Sequence, residues 1–146
     1  MPFEISKTQL GIFIVVAALV VIVAIPLVTT GGDKAKRDEV PLNVDLIRQA
    51  EIDYKDAFED YISATSAPRD PLTVDEKAVP WAPSKGFKAL SWAPEMSEVY
   101  GSYSVNAKAD GFIVNGVCDV DGDGSQARYQ ATLKETSHSL TEDSIY

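Results

Sequence analysis

The chain has 146 residues, with 13 Lys and Arg against 22 Asp and Glu and a formal charge of -9. Glu4 and Lys7 cancel, so the whole of that charge lies on the later residues, and a surface so acidic repels nucleic acid and anionic lipid headgroups. The only cysteine, Cys118, excludes an intrachain disulfide, and a small buried apolar side chain is the plainer role for it.

A short segment, residues 1–9, precedes an apolar run: from Leu10 to Val28 every residue is apolar, Gly or Pro, and no charge falls between Lys7 and Asp33. At about 1.5 Å per residue this covers a hydrocarbon core of roughly 30 Å, so residues 10–30 are expected to form one transmembrane helix. The run is too long, and its flanks are wrong, for a cleaved secretory signal. Gly11 and Ala18 share one face and let other transmembrane helices approach closely, either copies of this chain or members of a larger membrane complex. Orientation is contested, because Lys34, Lys36 and Arg37 follow the span and argue for keeping the domain inside.

About a hundred residues follow the anchor, enough for one compact domain. Residues 31–41 read as a polar linker, and residues 42–146 as the globular domain. Leu46, Ile47, Ala50, Tyr54, Ala57, Phe58, Tyr61 and Ile62 recur at helical spacing, which predicts an amphipathic helix with Asn43 as N-cap and Ser66-Ala67-Pro68 as its end. Its other face carries acidic residues, Glu51 and Asp53 among them, read as a solvated surface rather than a catalytic pair.

Pro68 to Pro94 holds five of the eight prolines together with Trp81, Phe87 and Trp92. It is predicted to be an ordered loop laid over the core, with the tryptophans buried rather than forming a ligand platform. Tyr100–Val105, Gly111–Val117 and Ala127–Leu133 read as strands of an antiparallel meander, with Tyr103, Val105, Phe112, Val114, Tyr129, Ala131 and Leu133 facing inward. One amphipathic helix packed on one small antiparallel sheet makes the fold class α+β.

Between the last two strands lies Asp119-Val120-Asp121-Gly122-Asp123-Gly124. Carboxylates at alternate positions with glycine for a sharp turn suit a hard divalent cation, and Asp119, Asp121 and Asp123 are the candidate calcium ligands. Gln130 stands where an EF-hand needs glutamate and the flanks are strands, so an EF-hand proper is excluded. A plain tight turn accounts for the same residues, and both readings stay open at this point. The lone His138 lies among serines, Cys118 has no second thiol, and no Gly-rich phosphate loop follows a strand, so neither an enzyme nor a small-molecule substrate is expected.

The span ending in Ala24-Ile25-Pro26, the helix with Ala50-Glu51-Ile52-Asp53-Tyr54 and the carboxy-terminal sheet resemble a type IV pilin. Gly101-Ser102-Tyr103-Ser104-Val105, Cys118-Asp119-Val120-Asp121-Gly122-Asp123-Gly124, Ala127-Arg128-Tyr129-Gln130-Ala131-Thr132 and Asp143-Ser144-Ile145-Tyr146 are similar to pilin-like proteins of deltaproteobacterial and myxobacterial type. The resemblance implies a single-pass bacterial inner-membrane protein with its domain in the periplasm or cell exterior, and a structural role in type IV pilus filaments or their assembly. It also implies a cleavage glycine and a glutamate near the mature amino terminus, where this chain has Glu4 and Gln9. A cut at Gly11 places Val16 at the glutamate position, so an uncleaved accessory subunit of an inner-membrane complex is the alternative.

Overall fold

A computed structural model describes residues 32–146, and the predicted segments 1–9 and 10–30 lie outside the described residues. Among the described residues no helix is long and apolar enough to cross a membrane. Asp33–Tyr146 forms a compact unit of its own.

Its first element, α1, spans Asp33–Phe58, 26 residues. The expected linker is therefore helical from Asp33 onward, and Asn43 lies inside the helix rather than capping it. Interleaved charges pair along the first turns, with Lys34 on Asp38 at 2.6 Å and Lys36 on Asp33 at 3.1 Å, at the spacings that support a helix weakly. Pro41 lies inside the helix, where its missing N–H costs about 3 kcal/mol. The helix tolerates it because Arg37, Val40, Asn43 and Val44 are all buried around it, and this packing fixes the backbone on both sides.

The buried stripe of α1 is Arg37, Val40, Val44, Ile47 and Glu51, at spacings of three and four. It is rotated from the predicted stripe, for Leu46 is 44% and Phe58 65% exposed. Glu59 adopts a left-handed conformation at φ 62, and its N–H bonds the Lys55 carbonyl at 2.8 Å, which ends the helix before Tyr61 and Ile62. Ser66 and Ala67 then belong to a strand rather than to a helix end.

Five strands form the main sheet in the order β1-β4-β5-β6-β7, each pair antiparallel: β1 Ala64–Ala67, β4 Ser102–Lys108, β5 Gly111–Cys118, β6 Ala127–Thr132 and β7 His138–Ser139. The central three match the predicted meander to within a few residues, and Tyr103, Val105, Phe112, Val114, Tyr129 and Ala131 are all buried. Leu133 falls beyond β6 and is half-buried. Gly116 sits under the helix: a Cβ there would stand 2.6 Å from both Val40 Cγ1 and Val44 Cγ2, so glycine is what lets α1 descend onto β5.

The proline-rich arm holds more structure than a loop. It contains a 3₁₀ turn at Pro71–Thr73, β2 at Val79–Pro80 and α2 at Lys85–Leu90, and β2 pairs with β3 at Glu98–Val99. Trp81 packs edge-on to Phe87 at 5.4 Å and to Trp92 at 5.3 Å between ring centroids, and both tryptophans also meet Tyr103. The rings seat the arm on the sheet.

Polar side chains of α1 hold the segments around it. Arg37 donates to the Asp143 carbonyl at 2.6 Å and the Ile145 carbonyl at 3.0 Å, with its guanidinium over the Tyr146 ring. Arg48 donates to the carbonyls of Thr132 and Leu133 at 2.7 and 2.9 Å. Asp45 accepts from the Ser137 N–H at 2.6 Å and its hydroxyl at 2.7 Å. Glu39 accepts from the Tyr100 N–H at 3.1 Å and the Tyr103 hydroxyl at 2.9 Å, and burial raises its pKa against the pull of those bonds.

Glu51 departs furthest from the predicted wet face: it is fully buried, accepts from the Ile62 N–H at 3.1 Å through Oε2, and leaves Oε1 without a partner. Burial raises its pKa from 4.5 to about 7. Because the folded state holds this proton more tightly than the unfolded chain does, stability falls as pH rises from 4.5 through about 7 and is level above that. The change is on the order of 3 kcal/mol. Thermal melts across that window are expected to show the loss in the wild type, and a Glu51→Gln variant is expected to lose most of the slope and to melt higher than wild type at pH 8.

Candidate metal centre

The β5–β6 connection begins inside the core. Cys118 and Val120 are 0% and 1% exposed, and the Val120 N–H donates to the Tyr146 carbonyl at 3.2 Å, so Asp119 between them is drawn down to 5% exposure. Past Val120 the chain turns outward on two left-handed glycines, Gly122 at φ 70 and Gly124 at φ 87. Any other residue is strained there, which is why the Asp-Gly repeats fit the turn.

Each aspartate binds one backbone amide of the loop: Asp119 Oδ2 accepts from Gly124 at 3.0 Å, Asp121 Oδ1 from Asp123 at 3.3 Å, and Asp123 Oδ1 from Ser125 at 2.6 Å. These bonds leave the second oxygen of each carboxylate to other partners, and Asp119 Oδ1 is buried with none. Burial, with the Asp121 carboxylate beside it, raises the Asp119 pKa despite the Gly124 bond.

Asp119, Asp121 and Asp123 each offer one oxygen, and the three oxygens lie within 4.8 Å of one another. An ion with metal–oxygen bonds of about 2.3–2.6 Å spans such a set. The three residues singled out in the sequence are therefore brought together in a geometry that could hold a metal ion. Gln130, at the EF-hand glutamate position, lies in β6 with its Nε2 directed to Asn115 Oδ1 at 3.4 Å, and so takes no part in the loop.

Other chemistry-bearing residues lie elsewhere. The Cys118 thiol is enclosed, and burial pushes its pKa up to about 12, which leaves no thiolate at neutral pH. His138 is exposed in β7 with its Nδ1 3.3 Å from the Thr136 carbonyl. A groove of about 220 Å³ on the outer face of the sheet is lined by Ser104, Asn115 and Leu72, with Arg128 its one charged residue.

Comparison with known proteins supplies no relative: no family model matches the chain, and neither a curated protein nor a solved structure matches it.

Three carboxylates set this close repel one another, and a cation joining them would relieve that repulsion. Divalent cation at about tenfold excess over Kd is expected to stabilise the full chain in detergent by about 1.4 kcal/mol and so to raise its melting temperature. An Asp121→Asn variant is expected to show no such response and to melt at or above the wild type in chelator. A wild type indifferent to both calcium and magnesium would contradict the site.

Proposed function

We propose that this chain is a membrane-anchored, pilin-like structural subunit that presents its acidic domain to the periplasm or cell exterior, with Asp119, Asp121 and Asp123 as calcium ligands. The observation that carries this reading is α1: it starts at Asp33, soon after the apolar run ends at Val28, and continues unbroken into the core against an antiparallel sheet. An apolar amino-terminal segment leading into a helix laid on such a sheet is the arrangement the type IV pilin resemblance implies.

The basic residues that argue for a cytoplasmic domain have another cause. Lys34 and Lys36 pair within α1, and Arg37 is buried against the carboxy-terminal tail, so all three serve the fold. Calcium suits the loop better than magnesium, because magnesium draws its oxygens to within about 4 Å in a near-ideal octahedron while calcium accepts the wider and more flexible set. Exposed Asp121 and Asp123 make the site a weak one, of the class that works at extracellular calcium levels.

The accessory-subunit reading rests on one sequence observation, Gln9 and Glu4 in the places of the glutamate and glycine that pilin processing requires. The mass of the amino-terminal peptide from native membranes separates the two. The structural reading expects the chain in sheared surface filaments with a terminus at Ile5 or Ile12. An intact Met1 or Pro2 terminus, in a detergent-stable complex of fixed stoichiometry, overturns the filament role in favour of the accessory one.

A further inference from the structure

We propose that Glu76 is a fourth carboxylate ligand of this centre, so that a bound calcium ion ties the β5–β6 loop to the proline-rich arm. The inference rests on the calcium reading of the loop and adds to it a residue from another part of the chain.

Asp119 is where the argument starts. It is 5% exposed, Oδ2 already takes the Gly124 amide, and Oδ1 is shut from water with no donor, in a carboxylate that faces those of Asp121 and Asp123. A buried acceptor left unpaired is costly, the more so when charged, and a cation at the cluster removes that cost. Calcium takes six to eight oxygens, which three aspartates of one short loop do not supply alone.

Glu76 is placed to supply more. Gly122 lies between Asp121 and Asp123, and a Cβ on it would stand 2.7 Å from Glu76 Oε2 and 3.6 Å from Glu76 Cβ. The Glu76 side chain thus lies over the bare backbone of the turn, where any larger residue would displace it. Glu76 is exposed, and its charge bears on Lys36 without an ion pair to it, so rotation about its own side-chain bonds would turn the carboxylate toward the aspartates.

Its backbone, by contrast, is held. Asp75 takes the Arg69 guanidinium at 2.9 Å and the Lys77 N–H at 3.1 Å, and Arg69 reaches on to the Lys77 and Tyr100 carbonyls. A held backbone with an exposed carboxylate is the arrangement that completes a metal site without refolding the arm. The carboxylate that stands over an already anionic loop loses that repulsion when the ion is bound.

The test is isothermal calcium titration of the full chain in detergent at about 0.15 M salt, with Glu76→Gln, Asp121→Asn and the exposed arm variant Glu95→Gln. Tryptic cleavage after Lys77 is followed by mass spectrometry with and without calcium. Glu76→Gln is expected to bind about tenfold more weakly and to lose the calcium protection of Lys77 that the wild type shows, with Glu95→Gln unchanged. Wild-type affinity in Glu76→Gln, or an equal loss in Glu95→Gln, overturns the fourth ligand while leaving the loop site intact. Absence of calcium binding by the wild type overturns the loop reading itself.

Discussion

The absence of a side chain at Gly116 sets the distance between α1 and the sheet. With Val40 and Val44 seated directly on β5, the helix axis comes close enough for the polar side chains that flank its apolar stripe to reach past the sheet edges. Arg37, Glu39, Asp45, Arg48 and Glu51 each bind backbone groups of segments distant in sequence, among them the tail, the β3–β4 approach, the β6–β7 turn and the chain leaving α1. A Cβ at position 116 would force Val40 and Val44, and the helix that carries them, to shift away from β5. The domain thus lacks a disulfide but has one helix whose charged residues satisfy the loops that the sheet leaves open.

The cost of this scheme falls on the buried charges. Arg37 keeps Nε without a partner while its Nη1 alone donates to two carbonyls, and Glu51 keeps Oε1 without one. Replacing such a group by an apolar residue is often tolerated, whereas removing only its partner is not. Their gain is geometric: a carboxylate at Glu51 accepts the Ile62 amide at the point where the chain reverses after Glu59, and an aliphatic side chain offers no acceptor there.

These same residues mark the limit of what the sequence discloses. Strand positions 103, 105, 112, 114, 129 and 131 were legible because alternation on a half-buried sheet is a local signal, and the Asp-Gly turn was legible because its left-handed glycines are. Glu51 and Arg37 were not, since their burial is decided by Ile62 and by Asp143 and Ile145, and no periodicity encodes such partners. The start of α1 was hidden by Pro41 and a run of charges that resembles a linker, although Lys34 to Asp38 already stood at the spacing of a helical pair. β1 escaped notice because Ala64-Thr65-Ser66-Ala67 is buried only at its ends and carries no large apolar residue. Of the candidate metal ligands, the three aspartates were legible from one hexapeptide, while the proposed Glu76 stands more than forty positions away and is brought over Gly122 only by the fold.

Charge connects the loop to the proposed role of the whole chain. The net charge of -9 resides on the domain, and a structural subunit that packs beside its own copies must bring such surfaces together. At physiological salt, charges more than about 8 Å apart are largely screened, so the repulsion that matters is local and is greatest where carboxylates crowd. Asp119, Asp121 and Asp123 crowd most closely, and Asp119 is the one least able to shed its charge into water. An ion held there neutralises charge where screening by salt is weakest. The loop is rooted through Val120 on the Tyr146 carbonyl, and the tail is held by Arg37 of α1, so the turn, the tail and the helix are joined by successive contacts. In a domain of this size the acidic loop and the helix clamp therefore belong to one continuous set of contacts.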